Sequence, residues 1–427
     1  MNKKHLRLAL VLVPAAILAA CTAQQATAPN VGVVEHPMPQ PLPPITSGQV
    51  QTPSTTPVQF SNFDEWKQSF IQRAIATGHS ASQVQFMMAN AQYIGNVVSL
   101  DRRQPEFSQM PWSYADSATS SSRVSGGRNG YQNQQALLDR LESQYGVPAS
   151  IITAIWGMES GYGHAWGSTD LVSALSTLAY DGRRREFAEQ QLIAMLTLVE
   201  RGDVTWDNLK GSWAGGMGHT QFIPTTWIEH GVDGNNDGHK NPWNVTDALS
   251  STASYLGRSG WVRGLQPYYE VQLPNGFDYR QSATKKTLAE WQALGVRFNQ
   301  ATPSGDTILE LWLPAGYQGP ALLTSRNFEV IRVYNNSSSY ALGVSMLGRA
   351  IIGAPTLQAS WPRQEQGLSS SQAMLLQQRL TALGFDTKGA DGVIGNNTRA
   401  AFQRWQAANG QIADGFISQN SARSLLY

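Results

Sequence analysis

The stretch "ITAIWGMESGYGHAWG", Ile152 to Gly167, sets one carboxylate, Glu159, in a run that is otherwise mostly apolar, aromatic or glycine. Ile155, Ile152 and Ile151 lie four, seven and eight residues before it, and those positions share one face of a helix. The glutamate therefore falls on the buried stripe of its own helix, where an ionised side chain is costly. Gly161 stops that helix two residues on, and Gly163 lets the chain turn tightly while leaving space for a ligand. A carboxyl in an apolar pocket has a raised pKa. It is then protonated near neutrality, as a general acid must be. Spacing alone equally permits a buried ion pair between Glu159 and an arginine.

Outward from this helix the same periodicity recurs. "FDEWKQSFIQRAIATG" (Phe63 to Gly78), "QNQQALLDRLESQYG" (Gln132 to Gly146), "FAEQQLIAMLTLVERG" (Phe187 to Gly202) and "DALSSTASYLGRSG" (Asp247 to Gly260) all predict helices. Pro148 suits the first turn of the helix that carries Glu159. Strand character is confined to "YYEVQLP" (Tyr268 to Pro274) and "FEVIRVYN" (Phe328 to Asn335). The expectation is a mainly α (α+β) chain: one helical domain over 60–352, with a small mixed lobe inserted or appended.

The ends of the chain read differently. Lys3, Lys4 and Arg7 precede an apolar run, Leu8 to Ala20, that is short for a membrane span and closes on "LAAC", Leu18 to Cys21. Residues 1–21 resemble a bacterial lipoprotein signal with Cys21 as the lipidated residue, and Thr22 after it implies outer-membrane sorting. Cys21 is the single cysteine, so an internal disulfide is excluded, as is a cysteine-based transpeptidase. Residues 22–59, with "HPMPQPLPP" at their centre, carry no helical or strand period and read as a tether. Residues 353–367 lose periodicity again and mark a linker. In 368–427, "DGVIGNNTRAAF" (Asp391 to Phe402) repeats as "DGFISQNSARSL" (Asp414 to Leu425) after the helix "QAMLLQQRLTALGF". Thr398 and Ser421 offer helix caps there. This three-helix unit resembles the small peptidoglycan-binding domain appended to many wall enzymes.

A net charge of +1, from 31 basic and 30 acidic residues in 427, gives no electrostatic case for nucleic acid. The seven histidines are scattered, which argues against a zinc amidase. "GSWAGGMGHTQFIPTTW" (Gly211 to Trp227) is glycine-rich but lacks the spacing of a phosphate loop. Glu159 in "ESGYG", followed by "GGMGHTQF", resembles the lytic transglycosylases and goose-type lysozymes. Four further stretches resemble the membrane-bound lytic transglycosylase B family in particular: "RRQPEF" (Arg102 to Phe107), "LSTLAYDGRRREF" (Leu175 to Phe187), "DGNNDGHKNPWN" (Asp233 to Asn244) and "VYNNSSSYALGV" (Val333 to Val344).

That resemblance implies a lysozyme-like catalytic domain that cleaves the β-1,4 bond between N-acetylmuramic acid and N-acetylglucosamine without water. Glu159 maps onto the family's single acid/base, and no cofactor is needed for the chemistry. Ordinary glycosidases use two carboxylates, and the sequence leaves Asp170 and Asp181 open as a second. By the same resemblance Ser212 and Gln221 hold polar groups of the glycan, and Met217 and Phe222 keep Glu159 dry. Tyr114, Tyr334, Asn335 and Tyr340 approach the reacting sugar, with Asn335 at a strand end. Arg183 and Arg184 meet its lactyl or peptide carboxylates. The partners expected are glycan strands, the outer membrane through a lipid anchor, and other wall enzymes, in the periplasm. A muramidase using the same Glu159, and a non-catalytic wall-binding scaffold, are the competing readings.

"DGNNDGHKNPWN" has its own logic. Asp233, Asn235, Asp237 and the His239 carbonyl occupy positions 1, 3, 5 and 7 of an EF-hand-like loop, with Gly238 at the turn. Position 12 is Asn244 in place of the usual glutamate, and in the family an acid three residues on, here Asp247, completes the site. The expectation is a structural Ca²⁺ of modest affinity, about 10⁻⁴ to 10⁻³ M, with Na⁺ as the alternative ion.

Overall fold

The computed structural model describes residues 59–102, 110–300 and 302–427. Cys21 and the expected signal, the expected tether up to residue 58 and most of "RRQPEF" lie outside those residues.

The Glu159 helix, Ala149–Ser160, is the centre of the main core. Ile151, Ile152, Ala154, Ile155, Trp156 and Met158 are all buried. Its end is set by Gly161, whose φ of 56° is left-handed, a conformation that suits glycine. Against it pack Ser121–Asn133, Gln135–Tyr145, Val245–Arg258 and, most extensively, Ser338–Ile351. Gly127 and Gly157 are required at this junction. A Cβ on Gly157 would stand 2.4 Å from the Tyr162 ring, and one on Gly127 would stand 2.6 Å from Ile351. The helices Phe63–Ala76, Leu171–Asp181, Arg185–Glu200 and Pro224–His230 extend the same core.

The mixed lobe is an insertion. After Val245–Arg258 the chain forms a five-stranded antiparallel sheet, in spatial order Lys285–Thr287, Ile308–Trp312, Ala321–Thr324, Tyr268–Gln272 and Arg297–Phe298, then returns to helix. Strand alternation divides its side chains between two cores: Tyr268 and Leu322 join the main core, while Tyr269, Val271, Leu311 and Leu323 pack with Trp291. "YYEVQ" is a strand as expected. "FEVIRVYN" is not: Arg326–Tyr334 is a helix. Ser325 caps it by accepting from the Asn327 amide, and Asn327, Phe328, Val330, Ile331 and Tyr334 are buried at helical spacing. The β-branched residues suggested a strand, but the buried period is that of a helix.

The last segment forms helices Ser370–Ala382, Asn396–Ala408 and Arg423–Leu426 around Leu376, Leu380, Phe402, Trp405 and Ile417. Its internal repeat is a pair of like clasps. Gln377 donates to Asp391 and accepts from the Gly392 amide, and Gln406 does the same with Asp414 and Gly415. The Thr398 hydroxyl is spent on Gln377, so it does not cap its helix. Ser421 bonds to Ser418 and to the Phe416 carbonyl and caps no helix either. The connecting residues 353–367 are non-helical yet tied down: Glu270 accepts from the Gln358 and Ala359 amides, and Arg363 pairs with Asp116. The second clasp seats on the mixed lobe, where Asp414 accepts from the Tyr317 amide at 2.9 Å and Trp112, Ala315 and Phe416 cluster.

Candidate active site

Glu159 leaves its helix one residue before the end, so its side chain extends beyond the packed stripe while its backbone remains fixed by it. The residue is of intermediate exposure, open on one side, but its carboxyl group is desolvated. Burial pushes the pKa from 4.5 up to about 7, against a smaller opposing effect of the Tyr340 hydrogen bond. Tyr340, fully buried, donates its hydroxyl to Glu159 Oε1 at 2.6 Å. With Oε1 accepting, the carboxylic proton belongs on Oε2. Among the described residues Glu159 has no ion pair, which removes the structural arginine-partner alternative.

The other two candidate acids are already engaged. Asp170 caps Leu171–Asp181 by accepting from the Ser173 amide at 2.7 Å. Asp181 pairs with Arg102 at 2.7 Å.

Below Glu159 the "ESGYG" turn locks onto the glycine-rich run. Ser160 donates to the His219 carbonyl at 2.6 Å and accepts from the Gly163 amide. Trp156 donates to His219 Nδ1 at 3.1 Å. Burial drives the His219 pKa down to about 4, so the ring is neutral and free to accept that bond. Trp156, Tyr162 and His219 were in the quoted motifs, but nothing in their spacing shows that they bind the two segments together. A Cβ on Gly163 would meet the His219 ring at 2.4 Å.

Ser212 and Gln221 stand together. The Ser212 Oγ accepts from the Gly216 amide at 2.8 Å, and Gln221 donates to the carbonyls of Trp166 and Gly218. A Cβ on Gly216 would lie 2.6 Å from Gln221 Oε1 and 2.9 Å from Ser212 Oγ, so only glycine admits both polar groups. Gln221 has a φ of 53°, the left-handed region, uncommon for a side chain of its size. Met217 and Phe222 are buried and paired across an antiparallel bridge. Phe222 packs edge-on to Tyr334 at 5.1 Å, and Tyr334 donates to the Thr220 carbonyl.

Tyr334 and Tyr340 are both buried, with the Tyr340 hydroxyl on the Glu159 carboxyl. Tyr114 is also buried, against Gly343. Asn335 closes a helix where a strand end was expected, and its side-chain oxygen is enclosed with no hydrogen-bond partner among the described residues. Arg183 and Arg184 both converge on buried Asp101, and Arg184 also stacks on Phe187 at 4.4 Å. Asp101 supplies one negative charge to the two guanidinium groups, and the Arg183 side chain stays half exposed.

In the EF-hand-like loop, Asp237 N contacts both Asp233 Oδ1 and Asn235 Oδ1, and Asp237 Oδ1 accepts from His239 N. Buried Asp247 accepts from the amides of Gly234, Asn235 and Asn241, tying the two ends of the loop together. Asn244 caps Val245–Arg258, which accounts for an amide at position 12. Among the described residues no three His, Cys, Asp or Glu side chains stand together as a metal-holding group.

The chain matches known proteins in sequence and in fold. Residues 62–349 match the transglycosylase SLT domain and residues 369–423 a putative peptidoglycan binding domain. The membrane-bound lytic murein transglycosylase B of Escherichia coli (strain K12) is 33% identical over 304 residues, covering 66% of this chain and 82% of that protein. SltB3 from Pseudomonas aeruginosa, solved in complex with NAG-anhNAM-pentapeptide, superposes with a TM-score of 0.82 at 41% identity, over 86% of this chain and all of that one. The Escherichia coli lytic transglycosylase Slt35 in complex with calcium gives 0.60 at 30% identity, over 67% and 92%. With the SLT domain matched over about two thirds of its length and a relative 33% identical across most of that protein, this chain belongs to the transglycosylase SLT domain family.

Proposed function

We propose that Glu159 is the single acid/base of this peptidoglycan lytic transglycosylase, which cleaves the glycan between N-acetylmuramic acid and N-acetylglucosamine. The observation that carries the assignment is a carboxyl held near pKa 7 by burial while Asp170 and Asp181 are committed elsewhere. Protonated Glu159 gives its Oε2 proton to the glycosidic oxygen as the C1–O bond breaks. The carboxylate so formed keeps the Tyr340 hydrogen bond on Oε1. It then takes the proton of the muramyl C6 hydroxyl as that oxygen bonds to C1, closing a 1,6-anhydro ring and restoring the acid. No water is consumed.

Ser212 and Gln221 hold the N-acetyl and hydroxyl groups in this proposal. The chain acts in the periplasm, anchored to the outer membrane through lipidated Cys21, where other wall enzymes are its neighbours. Asp233, Asn235, Asp237 and the His239 carbonyl form a hard-oxygen set suited to Ca²⁺. Asp247 braces their loop, and an ion there stiffens the glycine-rich side of the site without entering the chemistry.

Digestion of purified sacculi by the full chain and by Glu159→Gln, read by mass spectrometry, tests this reading. Muropeptides lighter by one water than reducing ends, absent with the variant, are expected. Reducing ends identify a muramidase, and no glycan product identifies a scaffold.

A further inference from the structure

We propose that Arg123 receives a carboxylate carried on the muramyl residue of the substrate and so positions that sugar beside the catalytic helix. This rests on the transglycosylase reading above and concerns the recognition step.

Arg123 is the third residue of the Ser121–Asn133 helix, half-buried, and its side chain turns back past the helix start. Its Nη1 donates to the Ser117 carbonyl at 2.9 Å and lies 3.7 Å from the sulfur of Met158, the residue before Glu159. Tyr162 packs beside it and donates to the Arg123 backbone carbonyl at 2.7 Å, and Tyr114 lies near. One carbonyl and one thioether are all that these contacts supply to a charge that arginine cannot give up. Among the described residues no carboxylate pairs with Arg123, and Nε and Nη2 have no hydrogen-bond partner. The surroundings agree: burial lowers its pKa, and the opposing effects come from tyrosines and not from an acid.

Arg183 and Arg184 share Asp101, Arg102 has Asp181, Arg73 has Glu189 and Arg363 has Asp116. Arg128 and Arg349 also lack an acid among the described residues, but each spends two donors on backbone carbonyl or amide oxygens. A half-buried guanidinium with an unspent two-donor edge is shaped for a carboxylate. N-acetylglucosamine has no charge to offer. The muramyl residue has one, either the lactyl carboxylate or those of the stem peptide attached through it. Arg123 thus distinguishes which of the two alternating sugars lies against the catalytic helix, the task the sequence motifs suggested for Arg183 and Arg184.

The test uses the full chain carrying Glu159→Gln, so that ligands bind without being cleaved. Calorimetry compares three glycan tetrasaccharides: one with free lactyl carboxylates, one with lactyl methylamides, and one with stem peptides. Carboxylate forms should bind roughly tenfold tighter than the methylamide. Adding Arg123→Gln should close that gap and leave methylamide affinity unchanged, while Arg123→Lys keeps part of it. A gap for the free lactyl form assigns the lactyl group, and a gap only for the peptide form assigns the peptide carboxylates. The proposal is overturned by three results: no gap in the parent, a gap that survives Arg123→Gln, or an equal loss for all three ligands, which marks a purely structural arginine. Anhydro-end release by the otherwise wild-type chain is measured alongside, so a failure of the transglycosylase reading registers separately from a failure of the Arg123 gap.

Discussion

Glu159→Gln should make the protein more stable at alkaline pH while removing its activity. The folded state holds this carboxyl at a pKa of about 7 against an ordinary 4.5, so the native protein binds the proton more tightly than the unfolded chain does. The resulting stability is fully present below pH 4.5 and is lost as pH rises through 7. Integrated between pH 5 and pH 8, that linkage costs the wild type about 2.5 kcal/mol, and the full cost above pH 8 approaches about 3.4 kcal/mol. Glutamine keeps the shape, can accept from Tyr340, and never ionises. Urea unfolding of both proteins at pH 5 and pH 8, following the helical unit, gives the stability difference at each pH. Glu159→Gln should gain about 2.5 kcal/mol on the wild type between those values. A difference that stays constant within about 0.5 kcal/mol would mean that the carboxyl is solvated or paired, and the argument for a neutral acid would fail.

Tyr340→Phe removes the one hydrogen bond that lowers the Glu159 pKa. The alkaline limb of the pH–rate profile for anhydro-end release should move up while the rate falls roughly tenfold, because Glu159 Oε1 is left unpaired. Gly216→Ala forces a methyl between Ser212 and Gln221. Steady-state kinetics should show a loss of at least tenfold, and thermal melting should show a cost of about 1–3 kcal/mol. Calcium at 10 mM should stabilise the chain by about 1.4–2.7 kcal/mol if the loop binds with a Kd of about 10⁻³ to 10⁻⁴ M. A melting temperature in Asp237→Ala that still responds to calcium would place the ion elsewhere.

What the sequence reveals depends on how local the determining contacts are. Glu159 and the stop at Gly161 are legible because a helical period and a terminal glycine are short-range signals. The EF-hand-like spacing is legible for the same reason, although only the fold shows that Asn244 caps a helix and that Asp247 holds both ends of the loop. "FEVIRVYN" misleads because β-branched residues favour strands in isolation, whereas here Ser325 starts a helix and the core accepts one face of it. The remaining contacts are long-range. Tyr340 reaches Glu159 across 181 residues, and Asp101 claims Arg183 across 82. Neither spacing leaves a periodic trace, so the family motifs flagged Tyr340 and Arg183 but left their partners open. Arg123 stood in no quoted motif, and only its lack of an anionic partner draws attention to it.

The central claim is that one glutamate completes the reaction and water does not enter. Digestion of sacculi by the full chain in H₂¹⁸O tests it most directly, with the new muramyl ends resolved by mass spectrometry. The account predicts unlabelled 1,6-anhydro ends, and none with Glu159→Gln. Reducing ends carrying one ¹⁸O at C1 would contradict it, because water would then have attacked where the C6 hydroxyl is assigned to.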